Sequence, residues 1–209
     1  MANISRKGGL NPIEYLDGNA WEGKCRMFCI LAADTNAFSI GDPVTMTGTA
    51  DANGVPVVTL ATAGSSNVIL GPIVGYAGKV YGGVQAIPGA LETTVIASGA
   101  KATNLSALVT TDPNVVYEIE EGGSGANLTA SMASAAGTCP VGLNYNLLSG
   151  TNNGYSSGWT LDNTSGSTSN TRQVQIIGMV QRVDAVTGQF AKWLVRINQH
   201  QWNGASTGV

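Results

Sequence analysis

Residues 189–201 read Gln-Phe-Ala-Lys-Trp-Leu-Val-Arg-Ile-Asn-Gln-His-Gln, and their pattern sets the reading of the whole chain. Ala191, Trp193, Val195 and Ile197 fall on one face, Lys192, Arg196 and Asn198 on the other, with Leu194 as the exception. A period of two buries one face only if the segment is a strand. Just upstream, residues 173–183 set Val174, Ile176 and Val180 against Gln175 and Gln181, a looser version of the same alternation. Between the two lies Asp184-Ala185-Val186-Thr187-Gly188, which has the length and the terminal glycine of a hairpin loop. The pattern predicts a long antiparallel β-hairpin on which the rest of the chain packs.

On either side, short strand signals alternate with turn signals. Residues 24–32 read as a strand, and residues 34–36 turn the chain. Val44 and Met46 oppose Thr45 and Thr47 in the next strand. Asp51-Ala52-Asn53-Gly54 is the clearest tight turn, because Asn-Gly accepts a positive φ at little cost; it should fold residues 57–61 back onto 43–48. Residues 68–76 form a strand that Gly71-Pro72 is expected to bend or interrupt at a sheet edge. Residues 78–90 read as a glycine-rich loop, 92–97 and 105–109 as strands. Asp112-Pro113-Asn114 turns into a strand over 115–120. The alanines of 130–136 allow a short helix. Residues 143–148 and 159–162 read as strands, 149–158 and 164–171 as long polar loops.

No stretch sustains a 3.6-residue period. The expected fold is therefore all-β: an antiparallel, jelly-roll-like β-sandwich or barrel over residues 25–202, with an irregular N-terminal arm at 1–24 and a flexible tail at 203–209. The arm is broken by Gly8-Gly9, Asn11-Pro12 and Asp17-Gly18, yet carries Ile13, Tyr15, Leu16 and Trp21. It either docks on its own domain or lies on a neighbouring subunit.

Of 209 residues, 43% are hydrophobic but only 11% charged, against roughly 25% charged in ordinary soluble domains. The exterior must be polar and neutral, which suits permanent contact because little charge has to be desolvated. It also suits a secreted β-protein. A net charge of −3 with scattered basic residues argues against direct nucleic-acid binding. No apolar run reaches the roughly 20 residues that span a bilayer, and Met-Ala-Asn-Ile-Ser-Arg-Lys has no apolar region behind its charges, so no membrane association or signal peptide is expected. On a straight strand Cys25 and Cys29 would stand about 13 Å apart, too far for a disulfide; with Cys139 they read as buried, reduced thiols.

The residues offer no convincing chemistry. His200 is the only histidine, which removes a multi-histidine metal site and weakens a triad. Its place at the end of the last strand points to a structural or interface role. Glu118 and Glu120 share a strand face, spaced as an acid/base pair could be, but with Glu121 they precede Gly122-Gly123 and read as a solvated strand end. The acidic residues lack calcium-loop spacing, and the glycine clusters lack the lysine and the helix of a phosphate cradle. No catalytic, cofactor or metal residues are assigned, and no enzyme is expected. Trp21, Trp159, Trp193 and Trp202 raise a carbohydrate-binding reading, in which Trp193 belongs to the core and Trp159 could be exposed.

The closing segment, Gly188-Gln189-Phe190-Ala191-Lys192-Trp193-Leu194-Val195-Arg196-Ile197-Asn198-Gln199-His200-Gln201, resembles the final strand of small structural proteins of tailed bacteriophages. Ser157-Gly158-Trp159-Thr160-Leu161-Asp162, Gly41-Asp42-Pro43-Val44 and Leu70-Gly71-Pro72-Ile73-Val74-Gly75 are similar to the same group. Within it, the size and character of the chain resemble the capsid decoration, or cement, proteins. That resemblance implies a β-sandwich or barrel on the outside of a capsid. It would bind the major capsid protein at symmetry axes as a homodimer or homotrimer and be made in the cytoplasm of a bacterial host. It carries over no catalytic residue. The alternatives are a head-fibre, tail or receptor-binding virion component and, from another class, a carbohydrate-binding β-module.

Overall fold

The structure, a computed structural model, describes residues 3–77, 95–128, 139–183 and 185–204. Among these residues there is no helix. The strands are β1 (Asn11–Tyr15), β2 (Arg26–Ile30), β3 (Phe38–Ser39), β4 (Pro43–Ala50), β5 (Pro56–Leu60), β6 (Gly71–Tyr76) and β7 (Val95–Ile96). They continue as β8 (Leu105–Val109), β9 (Val115–Gly122), β10 (Asn144–Tyr145), β11 (Leu147–Leu148), β12 (Thr160–Asp162), β13 (Val174–Met179) and β14 (Lys192–Ile197).

Two barrel-like bodies result. In the first, the strands close in the order β2-β5-β4-β6-β8. The Asp51–Gly54 turn makes its β4–β5 hairpin: Asp51 Oδ1 accepts the amides of Asn53 and Val55 at 2.8 Å each, and Gly54 takes a positive φ of 79°. Phe28, Ile30, Val44, Val58, Leu70, Ile73, Tyr76, Ala107 and Val109 fill this barrel, and Phe38 and Ile96 of the small β3–β7 ribbon pack with them. Gly71-Pro72 does not lie at an edge, because β6 sits between β4 and β8. The proline is accommodated where β6 begins, opposite Pro43, so two residues without an N–H face each other and no ladder donor is wasted.

The second body is a seven-stranded sheet, order β10-β13-β14-β9-β12-β11, with β1 also on β9. Its two edge strands, β10 and β11, are separated in the chain by Asn146 alone. The expected single strand over 143–148 is thus two short strands, one at each edge, and the sheet rolls nearly shut around its core. Asn146 makes the corner: its amide donates to Ser165 Oγ at 2.8 Å and its carbonyl accepts the Asp162 amide at 3.0 Å. The sheet is not wholly antiparallel, since β12 runs parallel to β9, and β2 meets β5 in parallel in the first barrel.

The hairpin that opened the sequence reading is the middle of this sheet. Ala191, Trp193, Val195 and Ile197 are all buried, facing Val174, Ile176, Tyr117 and Ile119 in one core. Its strands are shorter than the sequence suggests. The pairing passes from Ile176↔Val195 directly to Gly178↔Leu194, so Ile177 is an extra residue turned outward. That bulge is why the first arm alternates poorly. The expected loop over 78–90, residues 92–94 of the next strand, the expected helix at 130–136, Asp184 of the hairpin loop and the tail from 205 lie outside the described residues.

The two bodies share a seam. Ala61 and Ile69, on the β5–β6 connection of the first barrel, are buried in the core of the second. Gln173, with no exposed surface, donates to the Thr62 and Asn67 carbonyls at 2.8 and 3.2 Å. Its Oε1 accepts the Gly64 and Leu147 amides at 3.0 and 3.1 Å. Gln201 Oε1 accepts the Met46 amide at 2.8 Å, and the Ile69 and Gln201 amides donate to Gln199 and Ile69 respectively.

Within the N-terminal segment, expected to be irregular, residues 11–15 form a strand on β9 of the same chain. Gly9 and Gly41 let this segment cross the first barrel closely. Their φ values are 65° and 91°, and a Cβ on Gly41 would stand 1.8 Å from the Gly8 carbonyl oxygen.

Candidate functional site

The acidic trio on β9 is not a solvated strand end. Glu120 and Glu121 are 1% and 3% exposed. Period two places Glu121 on the face of Tyr117 and Ile119, where it accepts Trp193 Nε1–H at 3.0 Å, the Leu128 amide at 2.9 Å and Asn163 Nδ2–H at 3.1 Å. Glu120 faces the other way. It accepts the Ser5 hydroxyl at 2.8 Å and the Arg6 amide at 2.5 Å, and pairs with Lys192 Nζ at 3.2 Å. Glu118 pairs with Arg182 at 2.9 Å. The arm and the loop after β9 cover these carboxylates, and each is committed to a structural bond. The signal that could have revealed this was Trp193 itself: a core indole on the neighbouring strand needs an acceptor for its N–H.

His200 is buried at the seam. Its Nδ1 accepts the Trp202 amide at 3.1 Å, which leaves the proton of the neutral ring on Nε2. Burial holds its pKa below the usual imidazole value, against smaller upward pulls from nearby backbone and Asp112. Of the thiols, Cys29 is buried, and that burial pushes its pKa up to about 11. Cys25 is exposed, contrary to the expectation of buried thiols, because it precedes the first paired residue of β2. All three cysteines are free.

Trp159, the indole expected to be available to a ligand, is buried in the second core. The most exposed aromatic among the described residues is Tyr155, 78% exposed, on the loop 149–158. Nothing in the alternation patterns flagged it, since it stands among polar residues. The loop holds its own shape: Asn153 Oδ1 accepts the Tyr155 amide at 3.0 Å and the Ser156 amide at 2.9 Å, and Asn152 Oδ1 accepts the Gly154 amide at 3.1 Å. These are Asx-type turns, which replace missing backbone partners with side-chain oxygens. The loop is also tied to the body, through Ser156 Oγ to the Lys7 carbonyl at 2.9 Å and the Ser157 amide to the Ile40 carbonyl at 3.0 Å. Behind it lies a cleft of about 430 Å³ lined by Ala37, Asp42, Leu60, Thr151, Asn152 and Trp159.

Asp42 is the one carboxyl here with an unusual proton affinity. Burial raises its pKa to about 6, although hydrogen bonds from Ser157 and from the Ser39 amide, at 2.7 Å, favour the charged form. Among the described residues no cluster of three or more His, Cys, Asp or Glu could hold a metal ion. What the arrangement presents is a loop without charged side chains, held by its own hydrogen bonds and tipped by an exposed aromatic ring. Comparison with protein-family models, with curated proteins and with solved structures finds no match for this chain.

Proposed function

We propose that this chain is a structural, non-enzymatic virion protein that binds the outside of a phage capsid and holds neighbouring capsomers of the major capsid protein together. The observation that carries the reading is the loop 149–158: pre-shaped by its own hydrogen bonds, free of charged side chains, and tipped by the exposed Tyr155. A pre-ordered loop loses little entropy on binding, and a tyrosine supplies contact area at low conformational cost. The low charge of the whole chain fits the same role, because contacts can close without stripping water from ions. A standard stable interface buries about 1,600 Å² in total, and an oligomer touching several capsomers gains effective concentration with each contact.

The test is co-sedimentation of the purified protein with expanded capsids that lack a decoration protein, followed by microscopy of the particles. Saturable binding at fixed positions is expected, weakened at least tenfold by Tyr155→Ala. Failure to sediment with any shell, together with retention on a glycan array, would replace the reading with the carbohydrate-binding one. That alternative now has less to stand on, since Trp159 is buried and the half-exposed Trp202 already stacks with Arg26 at 5.4 Å.

A further inference from the structure

The N-terminal segment is bound in the manner of a separate ligand. Asn3 Nδ2 donates to the carbonyls of Val186 and Gln189 at 2.8 and 2.9 Å. Ser5 and Arg6 both donate to Glu120, and Lys192 Nζ donates to the Arg6 carbonyl at 2.5 Å. Leu10, with no exposed surface, plugs the second core, and residues 11–15 complete the pairing of β9. The partners of these bonds are more than a hundred residues away in sequence.

The slot cannot stand empty. Withdrawing the segment would leave Glu120 without two of its donors and would open the core at Leu10. Glu120 would keep only its ion pair with Lys192; losing hydrogen-bond donors to a carboxylate is costly, as is a void in a packed core. Some copy of the segment must therefore fill the slot, but nothing chemical requires it to be the chain's own.

The connection has slack. Tyr15 lies opposite Val115 and Arg26 opposite Val109. The body joins those two points with residues 110–114, whereas the N-terminal chain joins them with residues 16–25, twice as many. The surplus folds back on β1 through a turn at 17–19, with Gly18 and Gly23 in the left-handed region and open space around both. Beneath it is a cleft of about 680 Å³ lined by Tyr15, Leu16, Asp17, Glu22, Lys24 and Asp112. Extended, ten residues reach about 33–36 Å, enough to leave this body for an adjacent one.

We propose that residues 3–15 exchange between copies, each chain placing its segment in the β9 slot of another, so that assembled copies are linked by strands rather than by surface contact alone. The inference needs only a second copy of this chain and does not depend on the capsid reading. Every contact between the segment and β9 is reproduced in the exchanged form; what an extended linker gives up is its fold-back on β1, through the Tyr15 to Asn19 and Trp21 to Ile13 backbone bonds, so the two forms differ in those bonds, in linker strain and in concentration.

The test mixes isotopically heavy and light chains at high concentration, warms them to just below the unfolding midpoint, cools them and dilutes them. Native mass spectrometry should then find mixed-mass dimers that persist after cold dilution. The ratio of dimer to monomer should rise about tenfold for each tenfold rise in free monomer during warming. A second arm uses the pair Asn11→Cys and Glu118→Cys, which are direct cross-strand partners, in a chain also carrying Cys25→Ser and Cys139→Ser. Oxidation should yield heavy–light disulfides between positions 11 and 118. The absence of persistent dimers at every concentration would overturn the proposal. Persistent dimers of the doubly substituted chain whose 11–118 links all lie within one chain would overturn it as well.

Discussion

Asp42 carries a cost that pH can expose. Its folded-state pKa is raised to about 6 by burial, above the ordinary 3.8. The folded state therefore holds its proton more tightly than the unfolded chain, and stability falls as pH rises from about 4 to about 6. Asp42→Asn keeps an acceptor for the Ser39 amide and removes the titration. Relative to the natural chain it should gain on the order of 2–3 kcal/mol between pH 4 and pH 7, read from denaturant midpoints. The sign is opposite at His200. Its folded pKa is lowered, so its contribution is present above about pH 6.5 and is lost as pH falls through the folded value. Comparing Asp42→Asn with the natural chain at each pH cancels the histidine; a difference flat with pH would refute the assignment. Gln173 tests a neutral group. Its side chain makes four hydrogen bonds, three of them across the seam, without any exposed surface. Gln173→Leu leaves two amides and two carbonyls buried and unpaired, and should cost roughly 3 kcal/mol or more. Gln173→Glu restores the acceptor but not the donors, and should not recover that loss.

At the level of the elements, the energy of the N-terminal segment can be separated from its chemistry. Leu10→Ala removes a fully buried side chain from the second core and should destabilise by about 2–5 kcal/mol. Ile4→Ala, at a residue 70% exposed, should change stability by less than about 0.5 kcal/mol. Equal effects in urea denaturation would mean that the segment is not docked as described. These elements also show what the sequence could reveal. β14 was legible because Ala191, Trp193, Val195 and Ile197 face a single core and repeat at the period of the pleat. The β4–β5 hairpin was legible because Asp51, Asn53 and Gly54 form the turn by local bonds. The split of 143–148 at Asn146 was not, since one alternating run served two sheet edges and only tertiary partners distinguish them. Glu120 and Glu121 were misread for a related reason. Their donors Ser5, Arg6, Asn163 and Trp193 come from distant segments, and Leu128 from the far side of the glycine turn, so local context showed only acidic residues before glycines. Tyr155 could not be found by periodicity, because a loop built from Asx turns has none.

On the scale of the whole molecule, two hydrophobic cores raise the question of whether the chain unfolds once or twice. Each core has its own strands, yet Leu60 packs against both, and Ile69 of the first barrel's connection is buried in the second core. Gln173, Gln199 and Gln201 carry hydrogen bonds across the same seam, satisfying backbone groups that would otherwise be stranded if one body opened alone. Opening either barrel thus breaks the other's boundary, and a single cooperative transition is expected. The tryptophans make this measurable. Trp159 and Trp193 sit in the second core, while the buried residues of the first include no tryptophan. Ile73, fully buried in the first core, is therefore a remote probe. Ile73→Ala should cost about 2–5 kcal/mol and lower the melting midpoint by roughly 5–15 °C for a chain of this size. The shift should be identical by far-ultraviolet circular dichroism and by tryptophan fluorescence, although the buried indoles, Trp159 and Trp193, lie in the other core. If the fluorescence midpoint stayed in place while the dichroism developed an earlier phase, the barrels would be independent and the seam a weak contact. Coincident shifts would mean that a load applied to either body is resisted by the folding energy of both.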